Sequence, residues 1–453
     1  MTNAAFTLTQ APYFHTLADR VCALGEGHAG ERVSLYLQAE QSTFIRFNRS
    51  AVRQATQVQQ GSATLTLVSG ARRIAATLTL TGVAHTDLRR LTDELATLRS
   101  LLPDVPDDPY LLLPDAVTHS HRHEHGTLPR ADDVVQQVAE AARGLDFVGF
   151  CAAGPVVRAL ADSTGQRHWH HVESFHIEWC LYLRADQAVK ASHAGAHWIP
   201  AEFQKLVAQS ALQLQLLARP AAAVAPGEWR AYLAPAAVAE LLSTLGWSGF
   251  SARSRRTHTS SLSQLASGLG ERLHPSVVLN EDTAAGLAPA FTPDGFVKPA
   301  SVALLSDGHL RDTMNSPRSA REYGLAANGA NSSETPESLS LAPGTLREAD
   351  VLGAIGDGLY VSNLWYLNYS DRSACRMTGM TRFACFRVQG GELVAPLPVM
   401  RFDDAFTRLF GVDGLLALDE HAVLVPDNSS YGQRALGSVT TPGALVQGWR
   451  LTL

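Results

Sequence analysis

Between residues 33 and 82 the chain is written almost entirely in period two. Five runs, VSLYLQA (33–39), STFIRF (42–47), AVRQATQVQ (51–59), ATLTLVS (63–69) and RIAATLTLTG (73–82), alternate apolar and polar side chains. Gly or polar turn residues separate them. Successive strand side chains point to opposite faces, so this alternation predicts an antiparallel sheet with one dry and one wet face. Helical patterns flank it at 12–28 and 85–101. The expectation for residues 1–103 is therefore a two-layer α+β unit.

Residues 104–130 break the pattern. DVPDDPYLLLPDAVTHSHRHEHGTLPR is rich in Pro, Asp and His, and reads as an exposed connector. A second α+β unit is expected over 131–220: a helix at 131–144, the strands FVGFCAA and PVVRALAD, the long run HWHHVESFHIEWCLYLR, and a helix at 200–218. The Pro/Ala linker Arg219–Gly227 marks another boundary, and the remainder, 221–453, reads as β-rich. The fold class expected is α+β: an N-terminal part built on an antiparallel sheet, followed by a β-rich C-terminal domain. A chain of 453 residues is too long for one simple core, which agrees with several units.

Composition narrows the function classes. The net charge is −6 and no cationic cluster stands out, which argues against nucleic-acid binding. No apolar run approaches the ~18 residues that span a bilayer, and the N-terminus lacks a signal-peptide pattern. The five cysteines, Cys22, Cys151, Cys180, Cys375 and Cys385, are scattered and odd in number. That points to reduced thiols and a cytoplasmic setting.

Histidines supply the metal-ligand candidates. His119, His121, His123 and His125 alternate in the connector, and imidazole suits zinc, nickel or copper. The competing reading is a solvated polar linker. In the long strand, His168, His170, His176 and Glu178 share one face, opposite Trp169, Phe175, Ile177 and Trp179. That row is either a ligand set or the polar face of a half-buried strand. His193 and His197 have zincin spacing, but SHAGAHW sits in a strand context and lacks the accompanying Glu. The thiols Cys375 and Cys385 have no His partner nearby, and no P-loop or dinucleotide fingerprint is present.

The last third is the most specific. It carries FTPDGFVKPASVALLSDGHLRDTMNSPRSAREYGLAANGAN from Phe291, LAPGT at 341–345, GDGLYVSNLW at 356–365 and MTGMTRFACFRVQGGELVAPLPVMRF at 377–402. In order and spacing these resemble the C-terminal domain of the TldD/PmbA family, whose members have also been called modulators of DNA gyrase. Gly308, Leu310, Ala320, Gly324 and Gly329 stand at the family's positions, and Thr378-Gly379 matches a family turn in which Met380 replaces an Asp. The resemblance implies that Tyr360, Asn363, Thr378 and Gly379 flank a peptide groove. The bulky Leu364-Trp365-Tyr366, where the family has Gly-Gly, implies that this groove is filled or reshaped.

TldD-type members carry His-Glu-x-x-x-His on a helix and a late Cys, which together hold zinc. The matching helix here is LAPAAVAELLSTLGW, 233–247, with Glu240 alone among Ala and Leu. The matching loop holds Ser429 and Ser430, and no Cys follows Cys385. By those absences the chain resembles the PmbA/TldE type. The resemblance implies no cofactor in this chain, with zinc expected only in a TldD-type partner. It implies a cytoplasmic dimer, with that partner or with itself, acting on extended peptides, without nucleic acid or membrane. A stand-alone homodimeric peptide-binding scaffold is the alternative. A metallopeptidase built on the unusual row His168, His170, His176 and Glu178 is the other.

Overall fold

The computed structural model describes residues 7–26, 28, 30–269 and 271–452. The first six residues, part of the N-terminal reading above, lie outside the described residues, as does residue 27 of the expected helix 12–28.

The predicted α+β arrangement is the one observed. Seven strands form one N-terminal sheet: β1 (Glu31–Asn48), β2 (Ala51–Ser69), β3 (Arg72–Thr79), β4 (His119–Glu124), β5 (Asp146–Asp162), β6 (Arg167–Arg184) and β7 (Gln187–Gly195). Their order is β3-β2-β1-β5-β6-β4, with β7 also paired to β6. The runs expected as separate short strands fuse. Residues 33–47 form one strand, and so do 51–69. Gly61 looked like a turn residue, yet it lies mid-strand, where a Cβ would come within 2.8 Å of Leu8 Cδ1. Glycine is required there by close packing.

The two expected N-terminal units share this sheet, because β1 pairs with β5 from Ser34↔Asp162 to Phe47↔Gly149. The connector is not structureless. His119–Glu124 form β4, parallel to Arg167–Val172 of β6. The alternation of His in THSHRHEHG was itself a period-two signal, masked by the flanking Pro and Asp.

The sheet has two differently covered faces. The odd-numbered face is apolar (Val33, Leu35, Leu37, Val157, Ala159, Trp169, Ile177, Trp179) and buried. The helices α1 (Ala11–Glu26), α2 (Ala84–Leu101), α3 (Ala131–Ala141) and α4 (Pro200–Leu217) contribute the facing side chains. The even-numbered face meets the C-terminal domain: Tyr36 and Leu160 pack with Phe291, and Val156 and Val172 with Leu436.

The C-terminal domain holds two sheets. A six-stranded sheet contains β9 (Leu279–Glu281), β10 (Val302–Ser306), β11 (His309–Leu310), β12 (Ser338–Leu341), β20 (Val423–Pro426) and β21 (Ser438–Thr441). The other contains β8 (Gly227–Leu233), β13 (Gly358–Val361), β14 (Asn363–Asp371), β15 (Arg376–Arg382), β16 (Phe386–Gln389), β17 (Glu392–Pro396), β18 (Arg401–Ala405), β19 (Leu415–Leu418) and β22 (Ala444–Leu451). Its path is β14-β15-β18-β22-β8-β13-β16-β17, and the first and sixth strands along it, β14 and β13, are separated in sequence only by Ser362, so the sheet curls back between them. Helix α5 (Pro235–Gly246) packs against both sheets. No helix among the described residues is long and apolar enough to cross a membrane.

Candidate functional site

Helix α5 starts with Pro235 in its first turn, where the missing N–H costs nothing. Its side chains then decide what it can do. Ala237, Val238, Ala239, Leu241, Leu242 and Leu245 are buried in the main C-terminal core. Glu240 is the one carboxylate and points outward. A helix apolar on nearly every side is a core element. It offers no imidazole to a metal and no carboxylate beside one.

The late loop is held by a different chemistry. Arg434 is buried and donates to Gly154 O (3.0 Å), Ser174 O (3.2 Å) and Ser174 Oγ (2.8 Å). Its backbone N–H reaches Glu40 Oε2, and Glu40 also accepts from Ser42 Oγ (2.8 Å) and Gln60 Nε2. The sequence prepares this site. Gly154-Pro155 interrupts the β1–β5 ladder between Glu40↔Val156 and Thr43↔Ala153. Proline cannot donate there, and a Cβ on residue 154 would strike Gln41 O at 2.0 Å. The interruption leaves the Gly154 carbonyl to receive Arg434. Asn428 adds a bond to Glu178 Oε2 (3.0 Å), which also pairs with Lys190 (3.2 Å). Ser429 and Ser430 lie on this docked loop beside His176, in the crevice that Arg434 also lines.

The even-face histidines do not form one ligand set. An extended strand advances ~3.3 Å per residue, so His168 and His176 stand on the order of 25 Å apart. His168 Nδ1 meets Ser120 Oγ (2.8 Å), and its ring stacks on Phe291 at 4.9 Å. His170 Nε2 donates to Leu287 O (3.0 Å). Burial pushes His168 down to about 4 and His170 down to about 3, so both are neutral at pH 7. His176 is likewise lowered, mainly by burial, against the pull of Glu178. These are packed seam residues.

The odd face brings together a group that the sequence reading passed over. His171 and Glu173 sit among the aromatic residues of that face and join the connector histidines. Ring centroids of His123 lie 4.2 Å from His125 and 4.1 Å from His171, and His121 is 6.4 Å from His123. Glu173 Oε1 is 3.8 Å from His125 Nδ1. His119 lies at the start of β4, opposite Arg167. The parallel register His123↔His171 is the signal that would have found the group, and it is a tertiary one. Among the described residues, no three His, Cys, Asp or Glu are arranged to hold a metal ion.

The four groove candidates are dispersed over the curled sheet. Tyr360 on β13 stacks on Tyr232 at 5.4 Å, and burial raises its hydroxyl to about 12. Asn363 begins β14, opposite Arg382. Thr378 Oγ1 donates to Phe402 O (2.9 Å) inside the sheet. Gly379 is buried, and a Cβ there would approach Phe402 Cε1 at 2.8 Å. Leu364 is buried, but Trp365 and Tyr366 are exposed and stacked on each other at 4.1 Å, with Arg382 over Trp365. The five thiols are free, and burial pushes Cys151 and Cys375 up to about 12, away from a reactive thiolate.

The model of the PmbA/TldA metallopeptidase C-terminal domain matches residues 226–452, half of the chain. The chain belongs to the PmbA/TldD family. Solved structures extend the likeness across the N-terminal sheet. TldE from Thermococcus kodakarensis superposes with a TM-score of 0.78 at 12% identity, covering 96% of this chain and 100% of that one. A protein from Thermotoga maritima described as a modulator of a DNA gyrase gives 0.76 at 12% identity, covering 97% and 100%. A similarly described protein from Bacteroides thetaiotaomicron gives 0.69 at 15%, covering 96% and 98%. At such identities the likeness is one of fold. No curated protein matches the chain. A zinc ion does not fit the residues present at these two places: α5 carries the lone Glu240 among alkyl groups, the late loop carries neither His nor Cys, and its Ser429 and Ser430 hydroxyls are poor zinc ligands.

Proposed function

We propose that this chain is a metal-free, TldE-like subunit that shapes a peptide-binding cavity, while a TldD-type partner holds the zinc and cuts the peptide. The observation that carries this reading is the apolar, core-packed α5, with Glu240 as its only ionisable group. Metal-assisted activation of water needs ligands that hold the metal and a base beside it, and this helix offers a lone outward carboxylate with no imidazole near it in sequence. Peptide capture is supported by an open sheet edge. β3 pairs only with Ser62–Ser69 of β2, so among the described residues Ala51–Gln60 has no strand on its outer side. An extended peptide adds to such an edge through main-chain hydrogen bonds.

The test is purification of the chain alone and together with a TldD-type protein from the same cell. Alone it hydrolyses no unfolded peptide. Mixed, the two co-elute, and the pair cleaves peptide in a zinc-dependent way. Hydrolysis by the isolated chain, abolished by chelation and restored by zinc, would sink the proposal.

A further inference from the structure

A cavity of about 410 Å³ lies in the seam between the even face of the N-terminal sheet and the C-terminal domain. A second, of about 510 Å³, adjoins it, and Gln38 and Arg158 line both. Each volume is in the range of small-molecule sites.

Three cations line the first cavity: Arg73, Arg158 and Lys298. Two are paired, Arg73 with Asp294 and Lys298 with Glu337. Arg158 is not. It is only 7% exposed, and its one hydrogen bond among the described residues is to the carbonyl of Val157, 2.9 Å away. Tyr36, Glu40 and Glu337 act on its charge through space, yet no carboxylate among the described residues is within ion-pair distance. Glu40 is already engaged by Ser42, Gln60 and the Arg434 backbone. A buried guanidinium without a carboxylate is costly, and nothing in the packing of this sheet requires one.

The neighbouring strand supplies a second donor. Tyr36 of β1 is the diagonal neighbour of Arg158, since Tyr36 pairs with Leu160 and Gln38 with Arg158. Its hydroxyl has no hydrogen-bond partner among the described residues, and burial keeps it protonated by raising it to about 12. A planar fork with several free N–H groups, next to a phenolic O–H, matches the two oxygens of a carboxylate. A single uncompensated positive charge matches its single negative charge.

We propose that the seam cavity binds a carboxylate ligand, with Arg158 as the anchoring residue and Tyr36 as the second donor. The carboxylate belongs either to the C-terminus of a short peptide or to a free small acid. This site is independent of the assignment of the chain as a metal-free subunit.

The experiment measures the melting temperature and the binding heat of the full chain at constant ionic strength. The probes are trialanine with a free C-terminus, trialanine amide, succinate, inorganic phosphate and chloride. The expected result is a saturable rise in melting temperature with trialanine, succinate or both, and none with the amide or chloride. A response to trialanine alone identifies a peptide terminus, and a response to succinate alone identifies a free acid. Arg158→Met abolishes the response, while its unliganded melting temperature equals or exceeds that of the parent, because an unpaired buried charge is gone. Arg158→Lys keeps the charge, loses the fork and weakens binding at least about tenfold. The proposal is overturned if no carboxylate gives a saturable shift, if Arg158→Met responds like the parent, or if phosphate and trialanine amide act as well as the free acids.

Discussion

The interior of the C-terminal domain and the seam beneath the N-terminal sheet are both buried, yet they differ in chemistry. Around α5, Ala and Leu side chains meet Leu304, Phe250 and Val361 in a dry core. In the seam, Arg434, Glu40, His168, His170 and Lys298 are buried with polar partners, and Arg158 is buried without a carboxylate. At the first place the chain has only packing. Polar groups concentrate at the second, where they join domains and line cavities. The difference is what the proposed role as a binding subunit rests on.

The comparison breaks most visibly at Arg434. Arg434→Ala leaves the Gly154 carbonyl and Ser174 without their buried donor, and keeps only the backbone N–H bond to Glu40. We expect a loss of about 4 kcal/mol in urea unfolding, with the 427–436 loop becoming protease-sensitive. A loss below about 1 kcal/mol would mean that the seam is not held by buried polar bonds.

In the dry region, Leu242→Ala removes a fully buried side chain from α5 and should cost about 3 kcal/mol through lost transfer energy and the cavity left behind. A neutral result would show that α5 is not packed as described.

Acid separates the two regions. His168 and His170 titrate well below the ordinary value of ~6.5 because burial disfavours the imidazolium. The unfolded chain therefore binds more protons between pH 6.5 and the folded values of about 4 and about 3. Stability from these groups is complete above pH 6.5 and falls as pH drops through that window. At pH 5 the loss is about 2 kcal/mol per histidine. His170→Gln, which keeps a donor for Leu287 O, should flatten the slope, whereas Leu242→Ala should leave it unchanged. Stability that is flat from pH 7.5 to 5 would contradict the burial of these rings.

The smallest effect belongs to the exposed pair on β14. Trp365→Ala should change stability by no more than about 0.5 kcal/mol, because it touches neither buried region. A larger loss would place that edge in the core.

The strands were legible from alternation because one face of the sheet is apolar and helix-covered. Their fusion was not. Gly61 and the polar residues around Gln41 look like turns until Leu8 and Gly154 are seen packing against them. The absence of ligands on α5 was readable directly, since it depends only on which residues stand there. The roles of the histidines were not. His168 and His170 read as a ligand row or as the polar face of a half-buried strand, and only the C-terminal domain, far away in sequence, buries that face. Arg158 gave no signal, because an Arg in VVRALAD looks like any polar strand position until the seam closes over it.

The central claim is that the chain binds and assembles but does not carry the metal. Zinc stoichiometry of the purified chain after loading and extensive dialysis, with peptide hydrolysis measured on the same sample, tests it most directly. The account predicts substoichiometric zinc, no hydrolysis, and no response to chelation. One tightly held zinc per chain, with peptide cleavage that disappears when the zinc is stripped, would contradict it.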